Sequence, residues 1–339
     1  MPLGLPLLIT GVPGVPGYNA LYHFGHKYPG QVVGLRPTDN WRLEGEHVVA
    51  CDMEDLDALK RLFDEHQFQS VLHCAGSCAL KSCELDPAMA WRINLEGTRN
   101  LLHILEGTAT RLVHLSIDLV FSGASGEGNM LETDSTDPVT VYGKTMAAAE
   151  SLVSLMRPEA TILRISLPMG VSFNGHAGAI DWIQSRFKKQ RPATLYFDEV
   201  RTPTYTDCMN LAFEAILERS MPGIYHAGGP TRLSLYEIAQ IINLVGGYDP
   251  DLLMGCMRIE AGPIPPRAGN VAMNSEKLSD HLGFEPFHGW PYDARYLPTN
   301  REWHYDRSAH EPGSPELLER ILYCNPLRDD GIIRPPFKG

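Results

Sequence analysis

Three groups of residues have types and spacings that could do chemistry. The first is Gly11-Val12-Pro13-Gly14-Val15-Pro16-Gly17, a G-x-x-G-x-x-G stretch. Glycines so spaced permit a tight turn and a close backbone approach to a pyrophosphate. A helix opening behind them adds N–H donors, Val15 among them, and a partial positive charge. Pro16 has no N–H to give. At the start of a helix it is an ordinary residue, but it also takes one donor out of a phosphate cradle. The second group is Tyr142-Gly143-Lys144-Thr145-Met146, with Ser116-Ile117-Asp118 upstream. Tyr142 brings a phenol able to give or take a proton. The third is Cys74, Cys78 and Cys83, spaced C-x3-C-x4-C. That is not a usual metal pattern and no fourth ligand is evident, so these read as small packing residues and no metal is expected. The 13 histidines are scattered, without a metal-binding pair. His73 and His114 each sit at a strand end and read as hydrogen-bonded core residues.

The elements that must position these groups are legible in the first half. Short apolar runs begin at Leu7, Gln31, His47, Ser70, Leu112 and Thr161, nearly continuous and rich in Leu, Val and Ile. Strands buried on both faces read this way. Helical spacing lies between them, with Leu56, Leu59, Leu62 and Phe63 on one face and Leu101, Leu102 and Leu105 on another. Strand–helix alternation predicts an α/β chain, a Rossmann-type doubly wound parallel sheet over 1–166. Strands at Leu7, Val32 and Val71 should be neighbours, with the glycine turn at the carboxyl edge. After about residue 167 proline and glycine become frequent. Helices at Asn210–Arg219 and Leu235–Val245 are predicted within a smaller α/β substrate-binding region, 167–304, whose segments can also complete the first sheet. The stretch 305–339, with Glu311-Pro312-Gly313-Ser314-Pro315 and Arg334-Pro335-Pro336, reads as an irregular, loosely packed extension.

Composition narrows the partners. The net charge of −12 argues against nucleic acid or an anionic membrane. No apolar stretch approaches the roughly 20 residues of a spanning helix. The start, MPLGLPLLITG, lacks a positive region and runs into a strand, so no signal peptide is read. Seven cysteines without a framework fit the reducing cytoplasm.

The second strand ends at Arg36, with no acid there. An acid would grip the ribose hydroxyls of NAD, whereas an arginine accommodates a 2′-phosphate. NADP is therefore expected over NAD, the alternative being that Arg36 is a solvated surface residue. Asp52, followed by Met53 after the third strand, either receives an adenine amino group or caps the next helix.

Further landmarks carry a resemblance. They are His73-Cys74-Ala75-Gly76, Asn94-Leu95-Glu96-Gly97-Thr98, Ser116-Ile117-Asp118-Leu119-Val120-Phe121-Ser122-Gly123 and Val141-Tyr142-Gly143-Lys144-Thr145. Over roughly 5–290 the chain resembles the extended short-chain dehydrogenase/reductases, and among them the dTDP-4-dehydrorhamnose reductase-like branch. That branch also includes the regulatory beta subunit of methionine adenosyltransferase. The resemblance implies cofactor contacts from Gly11, Gly14, Val15, Gly17, Arg36, Asp52, Met53, Cys74, Ala75, Gly76 and Asn94. It implies substrate contacts from Asp118, Arg201 and Arg267, where arginine would clamp a diphosphate; structural ion pairs are the alternative. The family reads S-T-D-Y-V-F-D-G and Y-G-x-T-K, and its chemistry uses a hydroxyl residue, a Tyr and a Lys.

Carried over residue by residue, only Tyr142 remains. Ile117 stands at the hydroxyl position and Met146 at the Lys position. Lys144 is rotated by about 200° from Tyr142, Ser116 faces the other side of its strand, and Lys81 reads as a solvated loop residue. Two functions follow. One is an NADP-dependent reductase or epimerase-like enzyme on a nucleotide-linked sugar, with an incomplete triad. The other is a non-catalytic nucleotide-binding regulatory or scaffold protein of the same fold. A homodimer is compatible with both.

Overall fold

The computed structural model describes residues 3–40, 42–328 and 331–337. Seven parallel strands form its main sheet: β1 (Leu7–Thr10), β2 (Val32–Arg36), β3 (Val48–Ala50), β4 (Ser70–His73), β5 (Arg111–Ile117), β6 (Thr161–Ile165) and β7 (Gly223–Ala227). Their spatial order is β7-β6-β5-β4-β1-β2-β3. Leu7 lies between Val32 on one side and Ser70 on the other. The order reverses between β1 and β4, and an open α/β sheet offers a ligand crevice at such a switch point. β7 comes from beyond residue 166 and pairs with β6 along its whole length.

Alternate strand residues face two different cores. Leu7, Ile9, Val113, Leu115 and Leu163 share a core with the helices Val15–Lys27 and Thr206–Glu218, which lie against this face of the sheet. Leu8, Val33, Val71, Leu112 and Ile162 pack with α2 (Leu56–His66) and the helix Gly97–Leu105. The helix expected behind the glycines opens within the turn itself, as α1 (Val15–Lys27), with Gly14 as N-cap and Pro16 in its first turn. Asp55, not Asp52, caps α2, accepting from Ala58 N at 2.9 Å. Beyond β6, strands pair two by two: Pro168–Met169 with Thr204–Tyr205, Val200–Arg201 with Leu233–Ser234, and Ala193–Tyr196 with Leu253–Cys256.

The end of the chain is not loosely packed. Leu317, Leu318, Ile321, Leu322 and Tyr323 are buried in the first core, on a short helix running into a π turn. The tail is pinned by polar contacts as well. Arg334 Nε pairs with Asp207 at 2.9 Å, and Trp290 Nε1 donates to Leu322 O at 3.0 Å. Prolines at 312 and 315 masked a four-residue apolar stripe at helical spacing. Among the described residues, no helix is long and apolar enough to cross a membrane.

Candidate functional site

The strand ends open into a cavity of about 1010 Å³, at the upper end of ligand pockets in general. One end is built from the turn after β1. Gly11 has φ +65°, and a Cβ there would lie 2.4 Å from Cys74 O and 2.6 Å from Ala75 Cα, so only glycine fits. Gly11, Gly14 and Val15 line the cavity together with Pro16. Gly17 is buried in the first turn, pressed on Gly11 O, and does not line it. The first N–H groups of α1 have no intrahelical partner by construction, and Pro16 contributes none.

Beside this turn, Arg36, Thr38, Asp52, Met53 and Arg92 line the same end. Arg36 Nη1 donates to Pro37 O at 3.0 Å, folding the guanidinium onto its own loop. Asp52 accepts from Thr38 N at 2.9 Å and from Thr38 Oγ1 at 2.6 Å. Its carboxylate therefore braces the loop after β2, a role sequence reasoning did not foresee. Cys74, Ala75 and Gly76 form the cavity floor. Asn94 lies behind them, buried in a π turn (Arg92–Glu96), and is not in the lining. Its Oδ1 accepts from Ser77 N at 2.6 Å and its Nδ2 donates to Thr145 Oγ1 at 2.8 Å.

The other end holds Tyr142, on the helix Val141–Met156 that Thr140 caps. Ile117 and Met146 line the cavity with it, and all three belong to one apolar cluster. Burial pushes the Tyr142 phenol well above its ordinary range, with Cys78 and Asp118 adding to the rise and Arg201 opposing it. Lys144, two residues on, is exposed and absent from the lining, and so is Lys81. Ser116 is buried and lines the cavity as Ile117 does, and its Oγ has no hydrogen-bond partner among the described residues. Cys78 is exposed into the cavity, whereas Cys83 is buried beneath, donating to Ser77 O. Among the described residues no cluster of metal-ligating side chains occurs.

Arg201 also lines this end. It is buried in an ion pair with Asp118, which accepts in addition from Ser166 Oγ at 2.6 Å. Asp118 is itself fully buried and outside the lining. Arg267 is drawn elsewhere: it pairs with Glu199 at 2.7 Å, stacks over Tyr196 and is not in the lining. Leu167, Pro168, Ala177, Gly178 and Ala179 line the cavity without having been singled out in the sequence. The available signal was positional, because the residues after β6 leave the sheet on the carboxyl side where ligands bind.

Comparison with known proteins resolves the kinship. The description "RmlD substrate binding domain" matches residues 6–295. This chain belongs to the RmlD substrate binding domain family. A dTDP-4-dehydrorhamnose reductase of Mycolicibacterium smegmatis is 26% identical over 77% of this chain and 80% of its own length. Methionine adenosyltransferase 2 subunit beta of Danio rerio is 26% identical over 86% of this chain and 93% of its own. Among solved structures, a dTDP-4-dehydrorhamnose reductase from Bacillus anthracis in complex with NADP superposes with a TM-score of 0.71 at 20% identity, over 88% of this chain and 98% of that one. A UDP-glucose 4-epimerase complex with NAD from Thermus thermophilus gives 0.73 at 22%, over 88% and 99%. The family match covers the chain from residue 6 to residue 295.

Proposed function

We propose that this chain binds NADP in the cavity, with a nucleotide-linked sugar beside Arg201, and that it transfers a proton to a carbonyl poorly or not at all. The observation that carries this reading is the composition of one cavity. Its glycine-turn end has the shape a dinucleotide needs, while at its other end Tyr142 stands between Ile117 and Met146. The residues present fit the cofactor. The turn lets the backbone approach phosphates, Arg36 at the end of β2 would have to turn from the Pro37 carbonyl to meet a 2′-phosphate, and the Cys74-Ala75-Gly76 floor leaves the dinucleotide room.

NADPH supplies hydride when bound, and the chain's part is to hold the sugar and provide the proton. Tyr142 is the proton donor in this reading. No ammonium stands one helical turn away, so the phenolate left after donation gains no cationic partner on that helix, and burial disfavours it further. Ile117 offers no hydroxyl to orient a carbonyl oxygen. General acid–base groups are worth about 10²–10⁴-fold in rate, so ordinary carbonyl reduction should be nearly silent. Arg201, which lines the cavity while paired with Asp118, would hold the sugar or its diphosphate in this reading. A regulatory subunit role is the second reading, favoured by the near full-length match to methionine adenosyltransferase 2 subunit beta and by the same loss of catalytic groups.

The test is the double reversion Ile117→Thr, Met146→Lys, assayed by NADPH oxidation with dTDP-linked 4-keto sugars. Activity at least about 10²-fold above wild type, abolished again by Tyr142→Phe, is the expected result. A wild-type protein that already turns over at the revertant's rate would overturn the reading.

A further inference from the structure

The floor of the cavity is suspended from a buried chain of hydrogen bonds whose direction can be read. Thr10 Oγ1 accepts from Cys74 N and from Ala75 N, each at 3.1 Å. With both acceptor positions taken, the one proton of the hydroxyl must go elsewhere. Its remaining partner is His73 Nδ1 at 2.8 Å, which therefore accepts. The ring proton then sits on Nε2, which faces Thr98 Oγ1 at 3.1 Å. Thr98 in turn donates to Asn94 O at 2.7 Å, the only polarity that leaves its lone pair for the histidine. The same Asn94 reaches Thr145 through Nδ2, and Thr145 Oγ1 donates to Tyr142 O at 2.8 Å.

Each link is consistent with one tautomer of a neutral His73 and with no imidazolium, since a proton on Nδ1 would face a donor. Burial, with His114 beside it at 5.2 Å between ring centres, holds His73 well below the usual histidine range. His114 is not the hydrogen-bonded core residue expected: both its ring nitrogens lack a partner among the described residues. The histidine reading of the sequence thus holds for His73 alone.

The loop held by this chain is the one against which the glycine turn is pressed. A Cβ on Gly11 would strike Cys74 O and Ala75 Cα. The separation between turn and floor, on which a bound dinucleotide would depend, is thus set on one side by a missing side chain and on the other by the Thr10–His73 pair.

We infer that His73 is a positioning residue for the cofactor site: a neutral, single-tautomer imidazole that fixes the Cys74–Ala75 floor against the Gly11 turn and ties both to the helix of Tyr142. The inference rests on the reading that the cavity binds a dinucleotide, and its test separates the two. His73→Gln keeps an acceptor and a donor in one planar group, and Thr10→Ser keeps the hydroxyl. His73→Leu and Thr10→Val remove the polar atoms at similar size. NADPH affinity is measured by fluorescence titration, amide exchange at Cys74 and Ala75 is followed without nucleotide, and melting temperature is recorded for each variant.

Expected are slow exchange at both amides in the wild type, His73→Gln and Thr10→Ser, and fast exchange in His73→Leu and Thr10→Val. Affinity should fall by roughly ten- to a hundredfold in the latter pair, the range for leaving buried polar groups unpaired. The conservative variants should stay within about threefold. If His73→Leu does not fold, Thr10→Val against Thr10→Ser decides. Wild-type exchange and affinity in Thr10→Val or His73→Leu would overturn the inference. Failure of the wild type to bind NADPH would overturn the dinucleotide reading instead, leaving the exchange data to judge His73.

Discussion

The two ends of the cavity have been treated differently. At the end formed by Gly11, Gly14 and Val15, features depend on backbone shape and none of the demanding ones is lost: the positive φ of Gly11, its contact with the floor, and the N-terminus of α1. At the other end Tyr142 stands with Ile117 and Met146, an alkyl and a thioether side chain at the positions where the proposed reading expects a hydroxyl and an ammonium. On the proposed reading, binding and proton transfer would be separable in this fold. A cradle made of main chain is held by the sheet that carries it, whereas a catalytic ammonium can be exchanged for an apolar group of similar length. That exchange even suits packing, since it spares the cost of burying a charge.

The sharpest way to break this contrast is at Gly11. Gly11→Ala should abolish NADPH binding and lower stability by about 1–3 kcal/mol, from a non-glycine residue at positive φ to which the clash with Cys74 O is added. Fluorescence titration and thermal melting check it. The matching change at the other end, Met146→Leu, should leave both unchanged, and equal damage from the two would erase the distinction.

A smaller effect is expected from Met146→Lys alone. An ammonium one turn from Tyr142 favours the phenolate, so the Tyr142 pKa should fall by about 1–3 units. Phenol ionisation would then begin at lower pH than in the wild type, where burial holds it high. Tyrosinate absorbance against pH, with Met146→Lys/Tyr142→Phe as the blank, measures it. No shift would mean that position 146 does not address the phenol, and the helix register assumed for the family would be wrong.

The mildest expectation concerns the cradle's rim. Arg36→Ala should weaken NADP by about tenfold, the order of one charge-assisted hydrogen bond, and leave NAD unchanged. Parallel titrations decide. Equal losses for both would show that Arg36 serves only the Pro37–Thr38 loop it already bonds.

The sequence by itself determined the architecture near the site. Apolar runs at Leu7, Val32 and Val71 read as strands buried on both faces, and their alternation with helical segments points to a doubly wound parallel sheet, so their neighbourhood and the place of the glycine turn were legible. That Met146 lies one turn from Tyr142 was legible too, from helix periodicity, while the expectation of a Lys there came from the family resemblance alone. Only the tertiary structure decided what the polar side chains do. Asn94, Asp52 and Arg267 carry the family's motif positions, but their hydrogen bonds go to Ser77, Thr38 and Glu199. Those partners lie 14 to 68 residues away along the chain, and no local pattern records them. The tail shows the same limit. Its stripe of Leu317, Leu318, Ile321 and Leu322 was present in the sequence, but whether an apolar stripe is buried depends on a receiving surface. That surface, which includes the helix Leu235–Val245, exists only once the rest of the chain has folded.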